Sequence, residues 1–439
     1  LNNVIEVKAG RWFQWQADYS ALLWSFLYFF SLLCGYYVLR PIRDALGTQM
    51  PLRWLFFGTF LCMLAATPVY GALVARFPRR RFLPIVYVFF IVCLLGFYVL
   101  LKGDAKPSWH QAAFFIWVAV FNLFAVSVFW SFMSDIFDTE QAKRFYGFIA
   151  AGGTLGALAG PVITVSLTKM IGVPNLLLVS CGFLAVCVLA IFFLIPWARQ
   201  QEQKRGWQSG EDAIGGSVLG GAKLILQSRF LQAASFYMFC GVAIGTLLYN
   251  EQRDFARLAL PDPEQRTAYF ARLDLIVNFT VLMLQLFVTR YVLRRFGPKP
   301  MLIVPVILVG IGFAVLTANP LPMLLSMVQI ATRAGSFGLA QPARESLFTR
   351  VDREMRYKSK NFVDTVVYRG GDWIIAWVYT GMTEALHFGI GGVAVFGIFL
   401  SIAGLLTSIW IAREAEKLPE NAGGAMKGAQ SKSEDLKAG

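Results

Sequence analysis

The feature that most limits what this chain can fold into is a series of long apolar runs from which charge is nearly absent. The first, ALLWSFLYFFSLLCGYYVL at 21–39, is unbroken. About 20 apolar residues span a bilayer as a helix, and without water to satisfy the backbone only helices and closed barrels can cross. Barrel strands would read as short alternating segments, which these runs are not. Composition agrees: of 439 residues 57% are hydrophobic and 15% charged, with a mean hydropathy of +0.57. A soluble chain would carry about 25% charged residues.

Apolar runs broken by charged or Pro/Gly clusters predict spans near 19–39, 54–74, 83–101, 112–133, 146–168, 175–196, 230–250, 273–292, 301–317, 322–342, 362–383 and 390–411. The expected fold class is an all-α polytopic membrane protein with twelve transmembrane helices in two pseudo-symmetric six-helix bundles. The polar, basic stretch WARQQEQKRGWQSGEDAIGG divides six spans from six. Expected domains are a bundle at 1–196, a cytoplasmic linker at 197–229, a bundle at 230–412 and a disordered cytoplasmic tail at 413–439. With the amino terminus inside, 28 of the 40 Lys/Arg fall on cytoplasmic segments and 10 on the opposite side, leaving Arg333 and Arg369 within spans. The positive-inside rule then places both termini in the cytoplasm. The longest outside connection is expected at 251–272. The start, LNNVIEVKAGRWFQWQAD, has no apolar core of its own, so no cleavable leader is expected.

The halves echo each other. Each has a basic loop after its second span (ARFPRRR; RYVLRRFGPKP) and an acid-then-basic stretch before its fifth (SDIFDTEQAKRF; RVDREMRYKSKNF), as parallel repeats of a major-facilitator carrier would. The first loop, GALVARFPRRR, resembles that superfamily's loop signature, with Ala75 in place of the usual Asp and Pro78 in place of the second Gly. It also reads as a simple positive-inside loop. Gly152, Gly156 and Gly160 recur on one helical face, and Gly370 and Gly371 sit in the equivalent part of span eleven. Without strand context or a Gly-Lys-Ser/Thr end they suit close helix packing, not a phosphate loop.

Charges at membrane depth are costly unless paired, hydrated or used. Arg40, Arg43 and Asp44 cluster at the outer end of span one, where Pro41 can loosen the helix and Arg43 can meet Asp44 or an anion. Arg333, beside Gln329, Thr332 and Ser336, is expected to face a central cavity. In span eleven Asp364, Arg369 and Asp372 stand at helical spacing, so Arg369 and Asp372 can neutralise each other or meet solute. Asp274 and Asn278, one turn apart at the mouth of span eight, can carry a proton or be solvated. The six cysteines all lie in apolar runs and the two histidines are far apart, so no disulfide framework or metal site is readable. No serine has a nearby His and the acids are dispersed, so an enzyme is not expected.

Three stretches carry a family resemblance: YVLRPIRDAL from Tyr37, FWSFMSDIFDTEQAKRFYG from Phe129, and YKSKNFVD from Tyr357. They resemble the ATP/ADP translocases of plastids and obligate intracellular bacteria in the order and position of their motifs. The resemblance covers most of the chain and implies a divergent bacterial nucleotide-exchange type of carrier with the major-facilitator fold. By it, Arg43 replaces a first-span lysine, and Lys143, Arg144, Lys358 and Lys360 match the family's other basic positions. The family's acids in spans four and seven fall here on neutral stretches, which offer Asn122 and Asn250.

The combined expectation is a secondary active transporter that moves an anionic, nucleotide or phosphorylated, solute across a bacterial inner membrane by alternating access of two rocking bundles. Arg40, Arg43, Asn122, Arg333 and Arg369 would contact the solute, and Lys143, Arg144, Lys358 and Lys360 would form a cytoplasmic basic rim. Asp44, Asp274, Asp364 and Asp372 would serve as counter-charge or coupling acids. The expected partners are membrane lipid and a small anionic solute, with no cofactor, no metal, no nucleic acid and a monomeric state. The alternatives are an exporter of amphipathic compounds, in view of 39 Phe and 12 Trp, and a non-transporting membrane partner or sensor.

Overall fold

A computed structural model describes residues 2–76, 79–102, 109–137, 139–205, 218–351, 355, 359–360 and 362–418. Among the described residues all regular structure is helical. The first half holds α1 (Asn2–Gly47), α2 (Leu52–Arg76), α3 (Arg79–Leu101), α4 (Trp109–Ile136), α5 (Thr139–Ile171), α6 (Val173–Arg205) and a short α7 (Val218–Gln227). Then come α8 (Arg229–Ala259), α9 (Pro263–Met283), α10 (Arg290–Phe296), α11 (Lys299–Ala318), α12 (Pro322–Gly335), α13 (Gln341–Phe348), α14 (Tyr368–Thr380) and α15 (Ile390–Glu416). Four π-helical segments interrupt the later helices, at Leu284–Thr289, Ser336–Ala340, Val363–Val367 and Gly381–Ala385.

Nine helices are long and apolar enough to cross a membrane, among the described residues. The other three expected spans are also helical: α2, with its apolar stretch Leu52–Pro68; α12 with its π segment and α13; and α14 with the π segments that flank it. Turn chemistry closes two corners. Gly172 (φ 79°) joins α5 to α6 and Gly297 (φ 73°) ends α10, both in left-handed backbone where a side chain would be strained.

Two expectations are corrected. The outside connection at 251–272 is helix: α8 runs to Ala259 and α9 begins at Pro263, so only residues 260–262 connect them. Its charges read as loop, but at spacings of three and four they lie along helix faces and pair there. Pro41 does not loosen α1, which continues to Gly47; a membrane helix tolerates an internal proline when neighbours re-satisfy the freed carbonyl. Within the stretch expected as a linker, α6 extends to Arg205 and α7 occupies Val218–Gln227. The tail beyond residue 418 lies outside the described residues, as do the side chains of the basic loop 71–81.

The chain forms two compact units. One comprises Leu1–Met50, Ala65–Ala213 and Ala259–Leu275; the other Pro51–Leu64, Ile214–Leu258 and Ile276–Gly439. The first is built on α1, whose buried Tyr28, Phe29, Leu32, Val38 and Leu39 enter a core with Phe121, Phe129, Leu184 and Ile191. Phe29 stacks on Phe129 at 4.3 Å between centroids, and Tyr28 meets the same ring edge-on at 4.8 Å. The glycine stripe makes this possible. A Cβ on Gly152 would lie 2.7 Å from the Phe26 carbonyl oxygen, one on Gly160 2.7 Å from that of Cys34, and one on Gly156 would collide with the Phe30 carbonyl. Helices α1 and α5 therefore meet backbone to backbone.

In the second unit Gly371 of α14 faces Val242 and Phe239 of α8, where a Cβ would sit 3.1 and 3.4 Å from their side chains. Gly397 of α15 accepts the ring of Phe313 from α11. Two π segments meet one another. The Thr289 hydroxyl lies 3.0 Å from the Leu284 carbonyl and 2.6 Å from that of Gly338, binding the widened turns together. Widened turns of this kind recur at functional sites, and here one follows Arg333 and another contains Asp364.

Replacing Gly156 by Leu should lower stability by roughly 1–3 kcal/mol or more, as over-packing does. The readout is a fall in the apparent unfolding temperature of detergent-purified protein. Gly182→Ala, where nothing lies within 4 Å of the added carbon, should leave it unchanged.

Candidate functional site

The first unit gathers four of the expected charges. Along α1 the positions 40, 43 and 44 are at helical spacing, so Arg40 and Arg43 both reach Asp44. The Arg43 guanidinium donates to Asp44 Oδ1 from Nε at 2.9 Å and from Nη2 at 2.6 Å. Arg40 Nε lies 4.0 Å from Asp44 Oδ2 and 3.6 Å from Asp274 Oδ2 of α9. Asp44 is 3% exposed and Asp274 1%. Asp274 is thus not a solvated group at a helix mouth. It is buried three turns into α9, because the helix starts ten residues earlier than its apolar run suggests. Two carboxylates and two guanidiniums make the cluster neutral, which lowers the cost of their burial.

Aromatic faces complete it. Arg43 lies 5.0 Å over Phe115 of α4, and Arg40 is 5.8 Å from the Tyr37 ring. Asn122, half-buried, is two turns along α4 from Phe115 and so on the same side of that helix. Tyr37 and Phe115 were not read as site residues from sequence, since aromatics abound in every span. A short helical check, Tyr37 three residues before Arg40, would have found the first.

The second unit holds a separate polar group. Asp372 of α14 uses both oxygens: Oδ1 accepts from the Thr246 hydroxyl of α8 at 2.6 Å, and Oδ2 faces Arg369 Nη1 at 3.3 Å. Asn250, buried, donates to the Thr246 carbonyl at 2.8 Å. Arg369 also lies 4.9 Å over the Tyr368 ring. The pairing of Arg369 with Asp372 is the one their spacing allows; Thr246, in a neutral run, gave no sequence signal. Arg333 is half-buried on α12 beside buried Gln329 and Thr332.

Towards the basic stretch before span eleven, Lys360 Nζ lies 2.8 Å from both Glu345 oxygens. Asp364 stands in the field of Arg344, Lys360 and Arg369, with Glu345 also near. Arg344 reaches the Met238 sulfur. Of the expected basic rim, Arg144 is exposed on α5, while the side chains of Lys143 and Lys358 lie outside the described residues. Two further groups escaped the sequence reading. Arg53 Nη1 is 3.1 Å from both oxygens of Glu384 and its guanidinium is 5.2 Å from the Trp377 ring. Glu251, Arg253, Asp254 and Arg257 of α8 gather with Tyr379 of α14. Both were hidden by the reading of charges near span ends as loop residues.

The Arg40–Asp274 pair sets a testable energy. Arg40→Gln should cost about 3 kcal/mol by removing a cation from a buried carboxylate, whereas Arg40→Met with Asp274→Leu should recover most of it. The check is a double-mutant cycle on unfolding temperature; losses in the double variant equal to the sum of the two single losses would refute the coupling.

Comparison with known proteins identifies the superfamily. The family model described as Major Facilitator Superfamily matches residues 20–261, more than half of the chain. Among curated proteins, the chain is similar to ADP,ATP carrier protein 1 of Chlamydia muridarum, 22% identical over 382 residues covering 74% of this chain and 69% of that one. It is likewise similar to ADP,ATP carrier protein 1 of Chlamydia trachomatis, 22% identical over 63% of this chain and 58% of that one. ADP,ATP carrier protein 2, chloroplastic, of Arabidopsis thaliana is 23% identical over 59% of this chain and 46% of that one. Among solved structures, the inward open xylose transporter XylE from E. coli has a TM-score of 0.60 at 14% identity, covering 93% of this chain and 98% of that chain. The POT family transporter PepTSo has a TM-score of 0.61 at 12% identity, covering 90% and 98%. The chain belongs to the Major Facilitator Superfamily.

Proposed function

We propose that this superfamily member is a secondary active transporter that carries an anionic, nucleotide-like or phosphorylated solute across a bacterial inner membrane by alternating access, with both termini in the cytoplasm. The observation that carries the reading is chemical: two guanidiniums at membrane depth, Arg43 and Arg369, are each held by a carboxylate of the same helix, at 2.6 and 3.3 Å. Planar guanidiniums form paired hydrogen bonds to phosphate as readily as to carboxylate. An arriving phosphate can therefore replace Asp44 or Asp372 as counter-ion without leaving a bare cation in a poorly hydrated place. The first unit would contribute Arg40 and Arg43, with Asn122 nearby; the second would contribute Arg333 and Arg369. Asp274, Asp44, Asp364 and Asp372 would hold these cations when solute is absent. Arg144 and Lys360, with Lys143 and Lys358, would draw the anion in from the cytoplasm.

The names of the curated relatives support a nucleotide as the first solute to test, and the neutral stretches around Asn122 and Asn250 support a solute range that differs from theirs. The chain is expected to work as a monomer in membrane lipid.

The test is ligand stabilisation followed by exchange. ATP, ADP, other phosphorylated metabolites, inorganic phosphate and lipophilic cations are added to detergent-purified protein, and the unfolding temperature is read. A ligand at about 100 times its dissociation constant adds about 2.7 kcal/mol. Stabilisation by a phosphate compound, lost in Arg43→Ala and in Arg369→Ala, and counterflow of that compound in proteoliposomes are expected. A response to lipophilic compounds alone would overturn the anion reading in favour of an amphipathic exporter.

A further inference from the structure

We propose that a groove on the π segment Leu284–Thr289 and α10 binds an anionic phospholipid, with an acyl chain along Leu286 and Phe287 and the headgroup phosphate on Arg290 and Arg294. The inference goes beyond the transport reading and holds whatever solute is carried.

The spacing builds the groove. Leu286, Arg290 and Arg294 follow one another at steps of four, and so do Phe287, Tyr291 and Arg295. Steps of four form ridges on a helix, and these six residues line a cavity of about 390 Å³. Its character changes along its length. It is apolar at Leu286 and Phe287, mixed at Arg290 and Tyr291, and cationic at Arg294 and Arg295. Eight residues of helix rise about 12 Å, so an apolar chain with a charged end fits it lengthwise. The depth also suits. The helical run Pro263–Phe296 is long and apolar enough to cross a membrane, and Gly297 ends it, so the arginines stand where headgroups begin.

The groove is open and its cations are unmatched. None of the seven residues of α10 is buried, and Phe287 is 72% exposed. Arg295 is positioned by the chain itself: its Nη1 donates to the Tyr291 hydroxyl at 3.1 Å and its guanidinium lies 5.8 Å from the Phe296 ring. Arg290 and Arg294 have no hydrogen bond or ion pair among the described residues. The sequence offers no neighbour for them either, since no Asp or Glu stands between Asp274 and Glu345. Their counter-charge therefore comes from outside the chain.

The occupant follows from elimination. A water-soluble anion would leave Leu286 and Phe287 uncovered. A second copy docked about a two-fold axis would set arginine against arginine. A zwitterionic lipid brings an ammonium group that the remaining guanidinium repels. An anionic phospholipid covers the apolar end and neutralises the cationic end. The same segment is tied to the π segment after Arg333, through Thr289 to the Gly338 carbonyl at 2.6 Å and Gln285 Nε2 to the Phe337 carbonyl at 3.4 Å. Bound lipid thus steadies this pair of widened turns, and stability reports its binding.

The test uses the full chain, stripped of lipid in neutral detergent, with phosphatidylglycerol, phosphatidylcholine and glycerol phosphate added in turn. Native mass spectrometry counts bound lipid and the unfolding temperature reads its effect. Phosphatidylglycerol should stay bound and raise the unfolding temperature, while the other two leave it unchanged. Arg290→Gln with Arg294→Gln should weaken phosphatidylglycerol binding roughly tenfold or more, and Arg290→Lys with Arg294→Lys should keep most of it. Arg413, exposed near the end of α15, controls for general attraction of cations to anionic lipid, and Arg413→Gln should bind as the wild type does. Equal binding of the two lipids by the wild type overturns the site without any variant. Equal weakening in Arg413→Gln and the paired Gln variant also overturns it. So does a glycerol phosphate effect equal to that of phosphatidylglycerol, which marks a free-phosphate site, or a dimer mass lost in the paired Gln variant, which marks a self-contact.

Discussion

An ionised side chain in a poorly hydrated helix bundle must bring its counter-charge with it, and much of the polar structure of this protein follows from that. Arg43 is matched by its neighbour Asp44, and Arg369 by Asp372 one turn on. Arg40 leans on Asp274 of another helix, and Asp254 collects two arginines and a tyrosine. Under the function proposed above, each guanidinium would exchange its carboxylate for a phosphate in the same geometry. A carrier needs such exchange. A cation without a partner would be too costly in the empty state, and one locked into a rigid network would never release a solute.

The charges can be aimed because the helices are placed by backbone contact. Gly152, Gly156 and Gly160 let α5 lie against the carbonyls of α1, which fixes the helix that bears Arg40, Arg43 and Asp44. In the second unit Gly371 of α14 packs against the Val242 and Phe239 side chains of α8, one residue before Asp372. On the same two helices Thr246 and Asp372 come to 2.6 Å. Widened π turns around Asp364 and after Arg333 then alter which way the following side chains point.

Much of this was legible without coordinates. The apolar runs locate the helices but not all of their ends, the glycine spacing identifies the α1–α5 packing face, and same-helix pairs such as Arg369 with Asp372 follow from a period of 3.6. The failures share one cause. Charges near the end of an apolar run were taken for loop, so Glu251, Arg253 and Asp254 were assigned to a connection that is really the last turns of α8, and Asp274 to a helix mouth it does not occupy. Hydropathy measures average polarity, but a helix with one charged face satisfied by a neighbour is as regular as an apolar one. Pro41 misled in the same way, since a local rule about proline yields to packing on every side.

The sequence alone determined that this chain is a helical membrane protein, because a deficit of charge and runs of span length leave no other way to satisfy the backbone in lipid. It also determined which charges sit within those helices, and which of them can pair along a single helix. Only the tertiary structure decided the partners across helices: Arg40 with Asp274, Asp372 with Thr246, and Tyr379 with Asp254. Those depend on the rotation and depth of one helix against another, which glycine contacts and side-chain volumes set jointly and no local pattern encodes.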